Sequence, residues 1–309
     1  EAPKHDLPTS SVSNTSCRGA DTLKAEKIML RGLLRCVPRL GPTRPAPALF
    51  GNRGFGRTAT STTTRTGGAV LPMRTFSSDG GGRYEAGRRD QVAWGKAMRD
   101  AEPDWILALF EQEGDAFSAR NLATVAHRVA KRGGRRFSKD PRICRLAEEC
   151  VSRIGDFNAQ DFANISWAFA KAGFPATKLF ESIAAEAQSR LGEFTAQALA
   201  NTAWAFAKAG VPATELFEAI AAEAQPRLRE FNAQELANTA WAFATADVPA
   251  TELFGAIAAE AQPRIGEFNS QALANTAWAF ATADVPAPQL FEAIAAEAQP
   301  RLREFNAQE

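Results

Sequence analysis

Histidine and tyrosine are almost missing from this 309-residue chain, which has only His5, His127 and one Tyr. The four cysteines, Cys17, Cys36, Cys144 and Cys150, show no paired metal spacing, and none lies beyond position 150. That scarcity excludes a disulfide framework and a zinc ribbon, and it fits a reducing compartment. No apolar run approaches the roughly 18 residues of a membrane-spanning helix, so a soluble chain without membrane insertion is expected. A phosphate-cradling glycine loop, a metal-binding helix and a nucleophile elbow are all lacking. The chain is therefore not expected to be an enzyme, nor to hold a metal, a cofactor or a small-molecule substrate.

Acidic residues are missing from one long stretch. Between Met29 and Ser78 there are eight arginines and no Asp or Glu. The overall formal charge of +1 conceals a division: from Phe157 onward there are 9 Lys and Arg against 18 Asp and Glu, a net of −9, which leaves +10 for residues 1–156. Residues 1–28, rich in Ser and Thr and without periodicity, read as a disordered leader or an extension of the gene model. In residues 29–78, Leu30, Leu33, Leu34 and Val37 share a helical face opposite Arg31 and Arg35. An amphipathic, acid-free, Arg- and Ser/Thr-rich segment has the composition of an organellar presequence. The alternative is a generic basic tail. Met73 to Ser78, MRTFSS, resembles a mitochondrial processing-peptidase site. A plastid address reached through a secretory route would need an apolar signal core first. The mitochondrial matrix is therefore expected, with the plastid as the alternative.

Residues 79–91 form a Gly-rich linker, and residues 92–116 read as one or two N-terminal cap helices with Trp94 and Trp105 as packing residues. Beyond them a phrase recurs. Trp167, Trp204, Trp241 and Trp278 stand 37 residues apart, and Phe157, Phe194, Phe231, Phe268 and Phe305 keep the same step. A fixed period of this size marks a stacked repeat array in which each unit buries its apolar face against its neighbours. Residues 117–156 form a diverged basic repeat in which His127 takes the Trp slot and the extra length falls between Gly133 and Ser138. Residues 157–309 are the repeats proper; they break off in mid-repeat at FNAQE, so the chain reads as a fragment.

Each repeat predicts two helices. Ser118, Asn158, Thr195, Asn232 and Asn269 are strong N-caps, with Glu235 completing a capping box and the preceding Phe stapling onto the first turn. Helix A stops at Gly173, Gly210, Asp247 or Asp284, each with a proline two positions on, at Pro175, Pro212, Pro249 or Pro286, where helix B is expected to begin. Helix B carries an apolar stripe typified by Leu253, Phe254, Ile257, Ala258 and Ala261, and Pro226, Pro263 and Pro300 end or kink it. The expected fold is all-α: a right-handed alpha-alpha superhelix, or solenoid, of 37-residue two-helix repeats after a disordered N-terminal third.

At about 100° per residue, helix A has an apolar arc that ends at the Trp. Beyond it lies a polar stripe: Gln160, Asn164 and Lys171; Gln197, Asn201 and Lys208; Gln234, Asn238 and Thr245; Gln271, Asn275 and Thr282. No folding requirement asks for Asn there, because Glu or Lys makes better helix. Carboxamides suit base edges and Lys suits phosphate, although a peptide backbone fits as well. For the Trp, burial as the largest core residue is expected, with base stacking as the alternative. For the Asn, an inter-repeat hydrogen-bond ladder and ligand contact are both open. Arg128, Lys131, Arg132, Arg135 and Arg136 in the diverged repeat form either a solvated face or a phosphate-contacting one. The acids of the array fall mostly on helix B and the turn after it.

The phrase FNAQELANTAWAFATADVPATELFEAIA resembles organellar helical repeats of the octotricopeptide type and the related arrays of FAST-kinase-like and RNA-editing substrate-binding complex proteins. Helix A in those families carries the pattern Gln-x-Leu-(Ala/Ser)-Asn-x-x-Trp-Ala-(Phe/Leu)-Ala. The likeness covers about residues 115–309. It implies binding of single-stranded RNA, chiefly organellar transcripts, together with ribonucleoprotein subunits, in transcript processing, stability, editing or translation. Units from Phe194 onward are almost identical, so a code of one base per repeat would read a monotonous tract. A protein-interaction scaffold on the same solenoid is the competing function.

Overall fold

The computed structural model describes residues 88–305; segment 29–78, read above as a presequence with a processing site, segment 1–28, read as a leader, and residues 306–309 lie outside the described residues. Twelve α-helices and no strand occur among the described residues. Helix α1 (Arg88–Ala97) and α2 (Pro103–Glu113) precede five A/B pairs. The pairs are α3 (Ala119–Gly133) with α4 (Pro141–Ser152), α5 (Ala159–Ala172) with α6 (Thr177–Gln188), α7 (Ala196–Ala209) with α8 (Thr214–Ala224), α9 (Ala233–Ala246) with α10 (Thr251–Ala261), and α11 (Ser270–Thr282) with α12 (Pro288–Ala298). The first helix starts at Arg88, inside the stretch read above as linker.

Every A helix opens at the residue that its sequence nominates. The side chains of Ser118, Asn158, Thr195, Asn232 and Asn269 each accept the backbone N–H three residues on. In α9 the Asn232 N–H also donates to Glu235, and Asp161 closes a second capping box in α5. The closures repeat too. Gly173, Gly210, Asp247 and Asp284 all take positive φ. The next residue in each case, Phe174, Val211, Val248 or Val285, donates its N–H to Phe169, Phe206, Phe243 or Phe280. This six-to-one bond satisfies a carbonyl that the helix end would leave orphaned.

Helix B does not begin at the proline. It starts two residues later at Thr177, Thr214, Thr251 or Pro288, after an alanine that makes no side-chain cap. Pro226, Pro263 and Pro300 open the 3-10 turns that follow helix B, as a residue lacking an N–H can do in the first turn.

Phenylalanine and alanine share the interior. Phe206, Phe243 and Phe280 reach from the A helices to meet Phe180, Phe217 and Phe254 of the preceding B helices, edge to face, at 5.0 Å each time. Between successive A helices the filling is small: Ala200, Ala203, Ala205, Ala237, Ala240 and Ala242 are fully buried. Side chains of that size let neighbouring A helices pack along their lengths, while the B helices rest more loosely on one another and on the turns.

The turns after helix B carry a device that the periodicity did not disclose. Arg190, Arg227 and Arg301 each donate to the carbonyl of the phenylalanine 33 residues earlier, Phe157, Phe194 and Phe268, at 2.9–3.0 Å. Arg153 donates likewise to the carbonyl of Phe117, 36 residues earlier in the longer diverged repeat. Flanking glutamates hold the guanidinium: Glu186 and Glu193 on Arg190, Glu223 and Glu230 on Arg227, Glu260 and Glu267 on Arg264. Each clasp ties the end of a repeat to its start and so fixes the step at which the next one begins.

In the diverged repeat the inserted residues form a short 3-10 turn, Gly134–Phe137, whose Phe137 is buried. Ahead of it, Trp94 packs on Phe117 at 4.9 Å, but Trp105 is 39% exposed and does not serve as the packing residue expected.

Candidate functional site

Gln, Asn, Trp and Lys or Thr follow one another at i, i+4, i+7 and i+11, which places all four on one face of helix A. In the structure Gln160, Gln197, Gln234 and Gln271 are exposed, and Asn164, Asn201, Asn238 and Asn275 are half-buried. Lys171, Thr245 and Thr282 are exposed, and Lys208 is half-buried. None of these side chains is sealed between layers.

The tryptophans depart from the core role expected of them. Trp167, Trp204, Trp241 and Trp278 are only half-buried, because Phe and Ala already fill the interior. The rings of Trp204, Trp241 and Trp278 instead form a row along the A wall. Trp204 lies 6.3 Å from Trp241 with the planes 34° apart, and Trp241 lies 6.2 Å from Trp278 at 32°. His127 packs on Trp167 at 5.1 Å, and Lys171 Nζ sits over the Trp167 ring at 4.5 Å. Hydropathy could not reveal this row, since a large aromatic at an apolar boundary reads as core.

The carboxamides form no inter-repeat ladder. Gln160 Nε2 donates to Asn164 Oδ1 at 3.2 Å within one helix. The side chains of Asn201, Asn238 and Asn275 make no hydrogen bond to any described residue. A half-buried amide without a protein partner is stable only while water or a ligand satisfies it.

The diverged repeat continues the stripe with different chemistry. Arg120, Thr124, His127 and Lys131 occupy the slots of Gln160, Asn164, Trp167 and Lys171. Arg120 counts among the basic residues of this repeat in the sequence, but only aligning the repeats places it, with Thr124, in the stripe. Charge therefore declines along the wall, from Arg120 and Lys131 through Lys171 and Lys208 to the neutral Thr245 and Thr282. Burial, followed by the charges of Arg128, Lys131 and Lys171, pushes the His127 imidazole below its ordinary pKa. Only Asp161 and Glu235 bring carboxylates to the body of the A helices, and both are engaged at N-caps. Burial raises the Asp161 carboxyl, opposed by the Asn158 N–H and by the charge of Arg120.

The five basic residues nominated in the diverged repeat divide. Arg132 donates to the carbonyls of Ala101 and Arg99, and Arg136 pairs with Asp104, so both heads turn to the N-terminal cap. Arg128 and Lys131 stay beside His127 on α3, and the Arg135 side chain lies near Gly173 at the end of α5. Arg142 and Arg145 are tied to Asp140 and Asp115.

Among the described residues, no group of His, Cys, Asp and Glu is placed to hold a metal, and no helix is long and apolar enough to cross a membrane. Comparison with curated proteins yields no significant match. A family model described as RNA-editing substrate-binding complex 6 protein, however, matches residues 116–309, the span that holds the diverged repeat and every repeat after it, and the chain belongs to that family.

Proposed function

We propose that this chain is a non-catalytic RNA-binding subunit of an RNA-editing substrate-binding assembly in the mitochondrial matrix, with segment 29–78 serving as its import signal. Single-stranded RNA lies along the A-helix wall. The Trp row receives base faces, the Gln and Asn carboxamides contact base edges, and Lys171, Lys208, Lys131 and Arg128 meet phosphates. The A helices pack on one another more closely than the B helices do, and the acids of the array fall mostly on the B helices and the turns after them, which leaves the A wall free of repulsion toward a polyanion.

The observation that carries the reading is the row of half-buried amides, Asn201, Asn238 and Asn275, that no protein group satisfies, set beside a continuous line of half-exposed indoles. Editing is favoured over general processing, stability or translation because the family match names an editing complex.

The test is recovery of crosslinked mitochondrial RNA with the wild-type chain and with the triple variant Asn201→Ala, Asn238→Ala, Asn275→Ala. Recovery should fall at least tenfold in the variant while its thermal unfolding is unchanged. Equal recovery removes the carboxamide row from the interface. Protein partners that survive RNase, with no crosslinked RNA from either form, would make the solenoid a polypeptide scaffold instead.

A further inference from the structure

We infer that the RNA segment this wall selects is a homopolymeric run, at least three identical nucleotides long, bound in an extended form with one base per repeat. The inference rests on the RNA reading above and adds the class of sequence.

Its basis is translational symmetry. Helices α7, α9 and α11 read AQALANTAWAFAKA, AQELANTAWAFATA and SQALANTAWAFAT, and the stripe positions Gln, Asn and Trp are the same in all three. The geometry repeats as closely as the sequence does. Trp204 to Trp241 and Trp241 to Trp278 differ by 0.1 Å in centroid distance, 6.3 against 6.2 Å, and by 2° in tilt, 34° against 32°. Beneath them the Phe217–Phe243 and Phe254–Phe280 contacts are both 5.0 Å, at 88° and 89°. A shift by one repeat therefore lays the base-facing Gln, Asn and Trp of each subsite on the next, while the fourth position changes from Lys208 to Thr245 and Thr282. Whatever base a subsite prefers, its neighbours prefer the same one, because specificity is a difference of affinities set by the groups presented.

Spacing dictates the form of the strand. Stacked bases rise about 3.4 Å per nucleotide, and the indole step of 6.2–6.3 Å is nearly twice that. Bases held one per repeat are thus pulled apart from each other and must find their stacking partner on the wall. The rings are already in contact along the row, so a base lies on the exposed side of each indole and is not inserted between two of them. With three equivalent subsites, a longer run can dock in several registers. The unlike end of the wall, where Arg120 and His127 replace Gln and Trp and Lys131 keeps the lysine of Lys171 and Lys208, supplies phosphate attraction without extending the run's specificity.

The experiment incubates the full chain with an RNA library randomised over about 14 positions, then sequences the retained molecules. Runs of three or more of one base should be enriched at least tenfold over their permutations of equal composition. In parallel, Asn238→Asp changes the middle subsite with an isosteric side chain. That variant should lose the enrichment of runs while its circular dichroism and melting stay as in the parent. Enrichment of a mixed-base motif, or retention without any sequence preference, overturns the homopolymer inference and leaves RNA binding standing. No RNA retained above a no-protein control overturns both, which separates failure of this inference from failure of the reading beneath it.

Discussion

The A-helix wall and the B-helix layer of the same repeats treat their polar groups in opposite ways. On the B side Arg190, Arg227, Arg264 and Arg301 are held by glutamates, and three of these four also reach a backbone carbonyl 33 residues back. On the A side the repeated amides of Asn201, Asn238 and Asn275 meet no described protein group, and the indoles beside them are half-exposed. Both layers repeat with the same period, so periodicity alone does not distinguish a structural residue from one available to a ligand. Hydrogen-bond satisfaction does. The layer whose turn arginines are bonded across the repeat holds the stack together, and the other presents its amides.

The largest effect should come from the interior that both layers share. Phe243→Ala removes a buried ring that meets Phe217, and it should destabilise the chain by about 3–5 kcal/mol in urea unfolding. A much smaller loss would mean that the repeats are less tightly coupled than the packing implies. Next, Trp241→Ala should weaken RNA binding by about 1–3 kcal/mol in fluorescence titration. Its effect on stability should be small beside that of Phe243→Ala. If stability falls as far and affinity holds, the indole belongs with the structural layer.

Arg190→Met should do the reverse, destabilising by about 1–2 kcal/mol with RNA affinity unchanged, since the side chain binds Phe157, Glu186 and Glu193 and none of the stripe residues. The Arg190 bond holds the Glu193 carboxyl below its ordinary 4.5. Its contribution is therefore complete above pH 4.5 and fades as pH falls through the depressed value. The acid limb of a stability profile should accordingly be shallower in Arg190→Met.

The smallest effect concerns His127. Burial and the charges of Arg128, Lys131 and Lys171 depress its pKa in the free chain, and a phosphate bound among those cations would raise it. Binding then takes up a proton, so affinity should rise as pH is lowered from about 8 to about 6, by about tenfold for each unit of change between free and bound states. His127→Gln should flatten that slope. Persistence of the slope would place the phosphates elsewhere on the wall.

Much of the architecture was legible residue by residue. Asn232 before Ala233, with Glu235 three residues on, specified a helix start, and Gly173 ahead of Pro175 specified a stop. These are local events, decided within one turn of backbone. What escaped the sequence was nonlocal. Arg132 and Arg136 looked equivalent to Arg128 and Lys131 until α1, α2 and the segment joining them supplied Ala101 and Asp104 as partners. The tryptophans looked like core because a hydropathy pattern records an apolar side chain and not whether phenylalanines have already filled the space beneath it.

Period, helix order, caps and the division of charge between the two helices follow from the sequence, because each depends on contacts between residues a few positions apart. Which polar groups remain unsatisfied, and at what spacing the indoles align, follow only from the stacked repeats. Those properties belong to surfaces assembled from residues 33 to 40 positions apart, and they arise only when one repeat is set against the next.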